Sequence, residues 1–405
     1  MSKDRTSGRP DGFAAYRQAI TRRDLLKRGM LVAGSTALAG AFTTVGAACG
    51  GESGSGAATG DSTTLNWLTW GGHEDPSIVD PFTKATGIQI KAKLYEGGDQ
   101  SIVEITQNPG KYDVLTTSME FMPQYVKAGA VQEMDPGLYP NWNDYLPEFK
   151  GDIGYDVNGK PYTMLYEFGF NGLCYRQDHL SEEDVTSFSI LKDPGLKGKV
   201  GCYDWWGNTM VALSLADGNN PLNKLDPVRI SDERFAHLRG YMASLRPQVA
   251  GFWPLSAVLN HLANGSIWIQ PGGGDWSAQI LRDQGAPVQA AIPKEGGYLT
   301  GEGISICTGT EKTDAANKFV NYMMSPEAQL AVAIKPAYSG CVPNQKAWLL
   351  MQQEEPSWAT RLKMGTFDDP CAITPWREER IAVRQLPSDQ TVEEWQQAWD
   401  EFKQG

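Results

Sequence analysis

The 405-residue sequence has no uninterrupted apolar run of the ~20 residues that a bilayer-spanning helix needs, so a resident transmembrane helix is not expected. It is poor in histidine. His73, His179, His237 and His261 stand too far apart for short metal-ligand spacing, so no metal site is expected. The signatures of several enzyme classes are also missing. There is no G-x-x-x-x-G-K-[ST] phosphate loop and no G-x-S-x-G nucleophile elbow, and Gly301-Glu302-Gly303 lacks the third glycine of a dinucleotide fingerprint. No catalytic residue and no cofactor is implied. Fixed-period repeats are absent, which argues against a solenoid. Basic residues are outnumbered by acidic ones, 36 to 48, for a net charge of −12, and this argues against nucleic acid as a partner.

What is present begins at Thr21 to Lys27, where a basic T-R-R-D-L-L-K precedes an uncharged stretch from Met30 to Ala48. That is the order of an export signal, a basic region before an apolar one; an amphipathic N-terminal helix is the plainer alternative. Arg22-Arg23 with Leu25, Leu26 and Lys27 resembles a twin-arginine export signal. Ala47-Ala48-Cys49-Gly50 resembles the lipobox of bacterial lipoproteins, with Gly46 where an aliphatic residue is usual. Residues 1–48 are therefore read as an export signal, and 49–63 as a lipidated Cys49 and a flexible tether of Gly, Ser, Ala and Thr. The expected location is the outer face of the bacterial cytoplasmic membrane, through a lipid anchor. Cleavage before Cys49 removes eight basic and three acidic residues and takes the net charge from −12 to −17. A cationic ligand fits that charge, and so does a surface that is merely solubilising.

Five cysteines remain, Cys174, Cys202, Cys307, Cys341 and Cys371. In an oxidising compartment they allow at most two disulfides. Cys341 with Cys371 is the preferred pair, although the sequence does not fix connectivity.

Strand and helix patterns alternate through the rest of the chain. Leu65 to Trp70 reads as a strand, Ile78 to Ala85 as a helix stopped by Gly87, and Ile88 to Leu94 as a half-buried strand. Tyr112 to Thr117 is a further strand, followed by a helical stretch that stops at Gly129. Leu255 to Leu262 is helical and Ser266 to Gln270 a strand. Gln270-Pro271-Gly272-Gly273-Gly274 is read as a loop, with Asp275 capping the next helix. Asp314 to Met324, a restart at Ser325-Pro326-Glu327, and Thr391 to Lys403 complete the helices. The rhythm predicts an α/β fold with parallel strands.

Several blocks carry a resemblance. Trp70 to Phe82 followed by T-K-A-T-G-I-Q-I, Tyr112 to Ser118 (Y-D-V-L-T-T-S), Ile292 to Gly297 (I-P-K-E-G-G) and Ala315 to Ala328 resemble, in order, the bacterial spermidine/putrescine-binding proteins among the solute-binding proteins of ABC importers. The resemblance implies a two-lobed, periplasmic-binding-protein-like fold of type II, with the ligand cleft between the lobes. Lobe one would be 64–168 plus 300–345, and lobe two 172–297 plus 346–405. It implies a monomer that closes on a small solute and presents it to separate permease and ATPase chains.

The same resemblance nominates ligand-binding residues. Trp70 takes the place of a cleft aromatic, and an aromatic face attracts an ammonium ion by roughly 0.5–2 kcal/mol. His73 stands where the family commonly has a tyrosine; a surface histidine is the alternative. Ser118 matches a family serine, and Glu120 replaces an aromatic in a loop that faces the cleft, although a carboxylate in a first helical turn is favourable anywhere. In Asp204-Trp205-Trp206-Gly207-Asn208, Asp204 keeps a carboxylate while Trp205 and Asn208 replace two expected acids. Adjacent tryptophans point oppositely in a strand, so one would pack inward and one line the cleft. Asp275, Trp276 and Glu302 complete the set, Glu302 matching an acid that pairs with a ligand amine. Ferric-iron binders of the wider superfamily use adjacent tyrosines, and no Tyr-Tyr pair occurs here. A polyamine or related amine is the expected ligand. A sugar or other neutral solute stacked on Trp70, Trp205 and Trp206 is one rival, and a lipid-anchored hydrolase pairing Glu120, Asp204 or Asp275 is another.

Overall fold

The computed structural model describes residues 63–95, 97–150, 155–217, 226–334, 340–357, 373 and 377–405. The segment read as an export signal, Cys49 with the expected tether up to residue 62, and Cys371 lie outside the described residues, and with Cys371 so does the expected disulfide.

The first elements follow local chemistry. Strand β1 (Thr64–Trp70) leads to helix α1 (Pro76–Thr86), which Asp75 starts by accepting from the Ser77 amide at 2.9 Å and Gly87 ends at φ +75°. Strand β2 (Gln89–Tyr95), helix α2 (Gly98–Gln107), strand β3 (Val114–Ser118) and helix α3 (Met122–Lys127) follow. β1 runs parallel to both β2 and β3, as a β-α-β rhythm demands.

Strand β4 (Met164–Arg176) is long and buried throughout. Beyond it come β5 (Val200–Tyr203), α4 (Trp206–Ala216), α5 (Asp232–Leu245), β6 (Val249–Trp253), α6 (Leu255–Asn264), β7 (Ile269–Gly274), α7 (Asp275–Asp283), β8 (Val288–Ala291) and β9 (Gly297–Ile306). Helices α8 (Thr313–Met323), α9 (Pro326–Ile334) and α10 (Gln345–Glu354) precede strand β10 (Ile381–Val383) and helix α11 (Val392–Gln404). The strands lie in the order β2-β1-β3-β9-β4-β7-β5-β6, with β10 on β9 and β8 on β4.

Two expectations need correction. The sheet is mixed, because β9 runs antiparallel to β3 and β4, and β4 runs antiparallel to β7 and β8. The glycine run is not a loop: Gln270 to Gly274 belongs to β7. Its glycines are needed for close packing on β4, since a Cβ on Gly273 would lie 2.6 Å from that of Cys174. Consequently Gly274, not Asp275, precedes the helix, and Asp275 is the first residue of α7.

β4 and β9 explain the two-lobed architecture. Met164 to Phe170 of β4 and Leu299 to Ile306 of β9 bury in a core with Trp67, Phe82, Phe319 and Trp348. Leu173 and Tyr175 of β4 and Tyr298 of β9 bury instead with Trp206, Met210, Trp395 and Trp399. Two antiparallel strands thus cross from one core to the other, and the short β10 beside β9 also reaches both, with Ile381 in the first core and Ala382 in the second.

Candidate functional site

At the waist formed by these strands the two halves flank a cleft with about 790 Å³ of space, part of it open to solvent. Its first wall comes from the turn after β1. Gly72, at φ +97°, lets the chain reverse between Trp70 and His73 so that both line the cleft. The Trp70 indole donates to Ser118 Oγ at 3.1 Å and lies 4.7 Å from the Tyr95 ring. Ser118 is therefore a support for Trp70 rather than part of the lining. His73 is buried, not on the surface. The Tyr166 hydroxyl and His73 Nδ1 share a hydrogen bond, and Nε2 lies 3.2 Å from Glu167 Oε2.

Glu167 was not anticipated from the sequence. Leu165 pairs with Gly303 and Glu167 with Glu302, so Tyr166 is an extra residue that interrupts the register. Without this bulge Tyr166 would oppose Glu302. With it, Tyr166 turns into the first core and Glu167 faces the cleft directly across from Glu302. Directly opposed residues of an antiparallel pair share a face, with Cβ atoms about 5 Å apart. Gly340 completes the fit: a Cβ there would lie 2.6 Å from Glu167 Oε1. Beneath the two acids, burial and then the charges of Glu302 and Glu167 hold the Tyr166 phenol well above its ordinary range, so it remains a donor.

The opposite wall holds Trp205, Asn208 and Trp276, the last donating its indole N–H to Asn171 Oδ1 at 3.0 Å. The tandem tryptophans divide as their geometry requires. Trp205 lines the cleft, while Trp206 is buried 5.8 Å from the Trp395 ring. The remaining expected residues are engaged elsewhere. Asp204 accepts from the Trp399 indole at 2.9 Å and pairs with Lys403 at 3.1 Å. Asp275 accepts from the Trp276 amide at 2.9 Å and does not line the cleft. Glu120 is buried and paired with Arg384, a lining residue that the sequence reading also missed. Glu120, Asp204 and Asp275 therefore form no paired-carboxylate centre of the hydrolytic kind.

A cleft between two cores joined by crossing strands, walled by indoles and floored by two facing acids, is the architecture of a solute-binding protein. The chain belongs to the bacterial extracellular solute-binding protein family, whose model matches residues 77–360. It is 26% identical over 299 residues to the spermidine/putrescine-binding periplasmic protein of Escherichia coli, covering 73% of this chain and 81% of that protein. Against the putrescine-binding periplasmic protein SpuD of Pseudomonas aeruginosa the identity is 24%, covering 66% and 75%. The spermidine/putrescine transporter substrate-binding protein of Streptococcus pneumoniae shares the fold at TM-score 0.67 and 18% identity, over 85% of this chain and 99% of that one. A glucopine-binding protein of Agrobacterium tumefaciens matches at TM-score 0.64 and 16% identity, over 84% and 100%. The chain is thus a substrate-binding protein of an ABC importer, from a family of transport proteins rather than enzymes. Among the described residues no helix is long and apolar enough to cross a membrane.

Proposed function

We propose that this protein is a lipid-anchored importer subunit that captures a small organic amine, a polyamine or a relative of one, and hands it to a permease and ATPase on separate chains. The observation that carries the reading is Glu167 facing Glu302 across β4 and β9 at the cleft floor. Like charges directly opposed in a sheet are unfavourable, and an ammonium group between them removes the repulsion. Each charge-assisted hydrogen bond it forms is worth roughly 1.5–3 kcal/mol. Trp70, Trp205 and Trp276 supply aromatic surface for methylenes or for the cation itself. The polyamine names of the relatives support the same reading.

We assign the lobes as 64–168 with 300–345 and 172–297 with the C-terminal region. Helix α10 is the exception, because Trp348 and Met351 bury in the first core. Closure about β4 and β9 would shift an open and closed equilibrium that the membrane partner senses. Anchoring through Cys49 rests on the order of the N-terminal segments.

A thermal-shift screen over amines, amino acids, sugars and anions tests the reading. A ligand at 100 times its Kd stabilises by about 2.7 kcal/mol, so an amine should raise Tm plainly. Shifts with sugars and none with any amine would replace the amine by a neutral solute.

A further inference from the structure

Resting on the amine reading, we propose that the cleft holds a single ammonium head and meets the other end of its ligand with a hydrogen-bond donor. The ligand is then a monocation carrying an acceptor at its far end, such as an ω-amino acid or an amino alcohol, and not a diamine.

The cleft carries charges of both signs. Among the described lining residues the only acids are Glu167 and Glu302, and these stand side by side. Asp204, next to Trp205 of the opposite wall, is spent on Trp399 and Lys403. Among the described lining residues no second acid therefore waits for a second ammonium.

A cation stands there instead. The Arg384 guanidinium lies 5.0 Å from the centroid of the Trp205 ring and so occupies aromatic surface that a second ammonium would use. Arg384 lines the cleft and is only 6% exposed. Burial works against its charge, but Glu120 together with Tyr298 and Tyr155 more than offsets this, and the guanidinium is held above its ordinary range. It is a fixed cation, and a second ammonium brought beside it in a water-poor cleft would be repelled.

Arg384 also has an unused donor. Its Nη2 bonds Glu120, yet its Nε is buried and makes no hydrogen bond. Buried donors are rarely left so. Asn208 Oδ1, on the same wall, is likewise buried and unpartnered. A ligand oxygen would satisfy Arg384 Nε. A carboxylate would do this by charge as well, and a hydroxyl could in addition donate to Asn208.

Calorimetry on the mature protein distinguishes these cases with ω-amino acids, ω-amino alcohols, α,ω-diamines and plain alkylamines compared at matched chain lengths. The expected result is that an amino acid or an amino alcohol binds about tenfold or more tightly than the diamine and the alkylamine of the same length. The better of the two identifies the acceptor as carboxylate or hydroxyl. Arg384→Lys keeps a cation for Glu120 but removes the Nε donor, and should abolish that preference, bringing the favoured ligand down about tenfold or more toward the alkylamine of the same length. A diamine or spermidine binding tightest would overturn this inference and leave the amine reading standing. If no amine of any kind binds, both fall.

Discussion

Arg384 and Glu120 form an ion pair in which each residue is only 6% exposed, with Trp205 stacked against the guanidinium. Glu120 follows β3, Trp205 precedes α4, and Arg384 follows β10, so the pair ties together three separate parts of the chain. Removing one member leaves an uncompensated buried charge. Glu120→Gln or Arg384→Gln should therefore cost about 3–5 kcal/mol in urea unfolding, and the double variant Glu120→Leu/Arg384→Met distinctly less than either. Singles no costlier than the double would show that the pair is solvated and of little structural weight.

Stability should fall steeply in alkali. Burial, helped by Asp135, pushes the Tyr139 phenol up to about 12, and Tyr145, Tyr155 and Tyr298 are buried and raised further. Burial also takes the Cys174 thiol up to about 12. An unfolded tyrosine ionises near 10 and a cysteine near 8.5. Their folded values lie above their unfolded ones, so the stability they contribute is complete below the unfolded values and is lost as pH rises. Above pH ~10 each such group takes away about 1.4 kcal/mol per pH unit. Urea midpoints measured from pH 8 to pH 11 should show the decline beginning near 9 and steepening past 10, and a level curve would contradict the burial of these groups.

The outer β-α-β unit was legible because each element there carries its own signal. Asp75 and Gly87 bracket α1, and the Thr391 and Glu394 side chains box the start of α11. What escaped depends on contacts between distant segments. The glycine run 272–274 reads as a loop until Cys174 and Asn171 of β4 are seen pressed against it. Glu167 sits in the run M-L-Y-E-F-G-F, where strict alternation would give Tyr166 and Glu167 opposite faces, and only the bulge decides which of them meets Glu302. Arg384 lies far along the chain from everything it touches, and no local pattern links it to Glu120. Trp70, Trp205, Trp276 and Glu302 were nominated by the family resemblance, and the structure brings all four to the lining of one cleft.

Attachment through Cys49 is open to a direct test. Cys49→Ala should release the protein from membranes in cell fractionation, because the tether that follows has no apolar surface to hold it. Full retention of a variant with its N-terminus intact would end the anchor proposal.

Ligand should change the shape of the molecule. Among the described residues β4, β9 and the short β10 carry the chain between the first core and the second, so rotation about them disturbs little packing. Small-angle scattering should give a smaller radius of gyration with a saturating amine than without it. A radius that no tight ligand alters would mark a rigid cleft.

The floor and wall of the cleft should be separable by substitution. An ammonium entering between Glu167 and Glu302 loses hydration and depends on charge to replace it, whereas a neutral solute depends on contact area and hydrogen bonds. Glu302→Gln and Glu167→Gln keep size and polarity while removing one charge each, so each should weaken an amine about tenfold or more and barely affect a neutral ligand. The two effects should not add, because either acid alone lacks the like-charge neighbour that the ammonium relieves. Trp70→Ala removes aromatic cover and frees Ser118 from its bond to the indole, so it should harm binding of either class. Calorimetry on the three single variants and the double Glu167→Gln/Glu302→Gln, each first checked by its melting curve, reads these terms directly. An undiminished amine affinity in both glutamine variants, beside a large loss in Trp70→Ala, would remove the charge from the account and leave a cleft that binds by stacking alone.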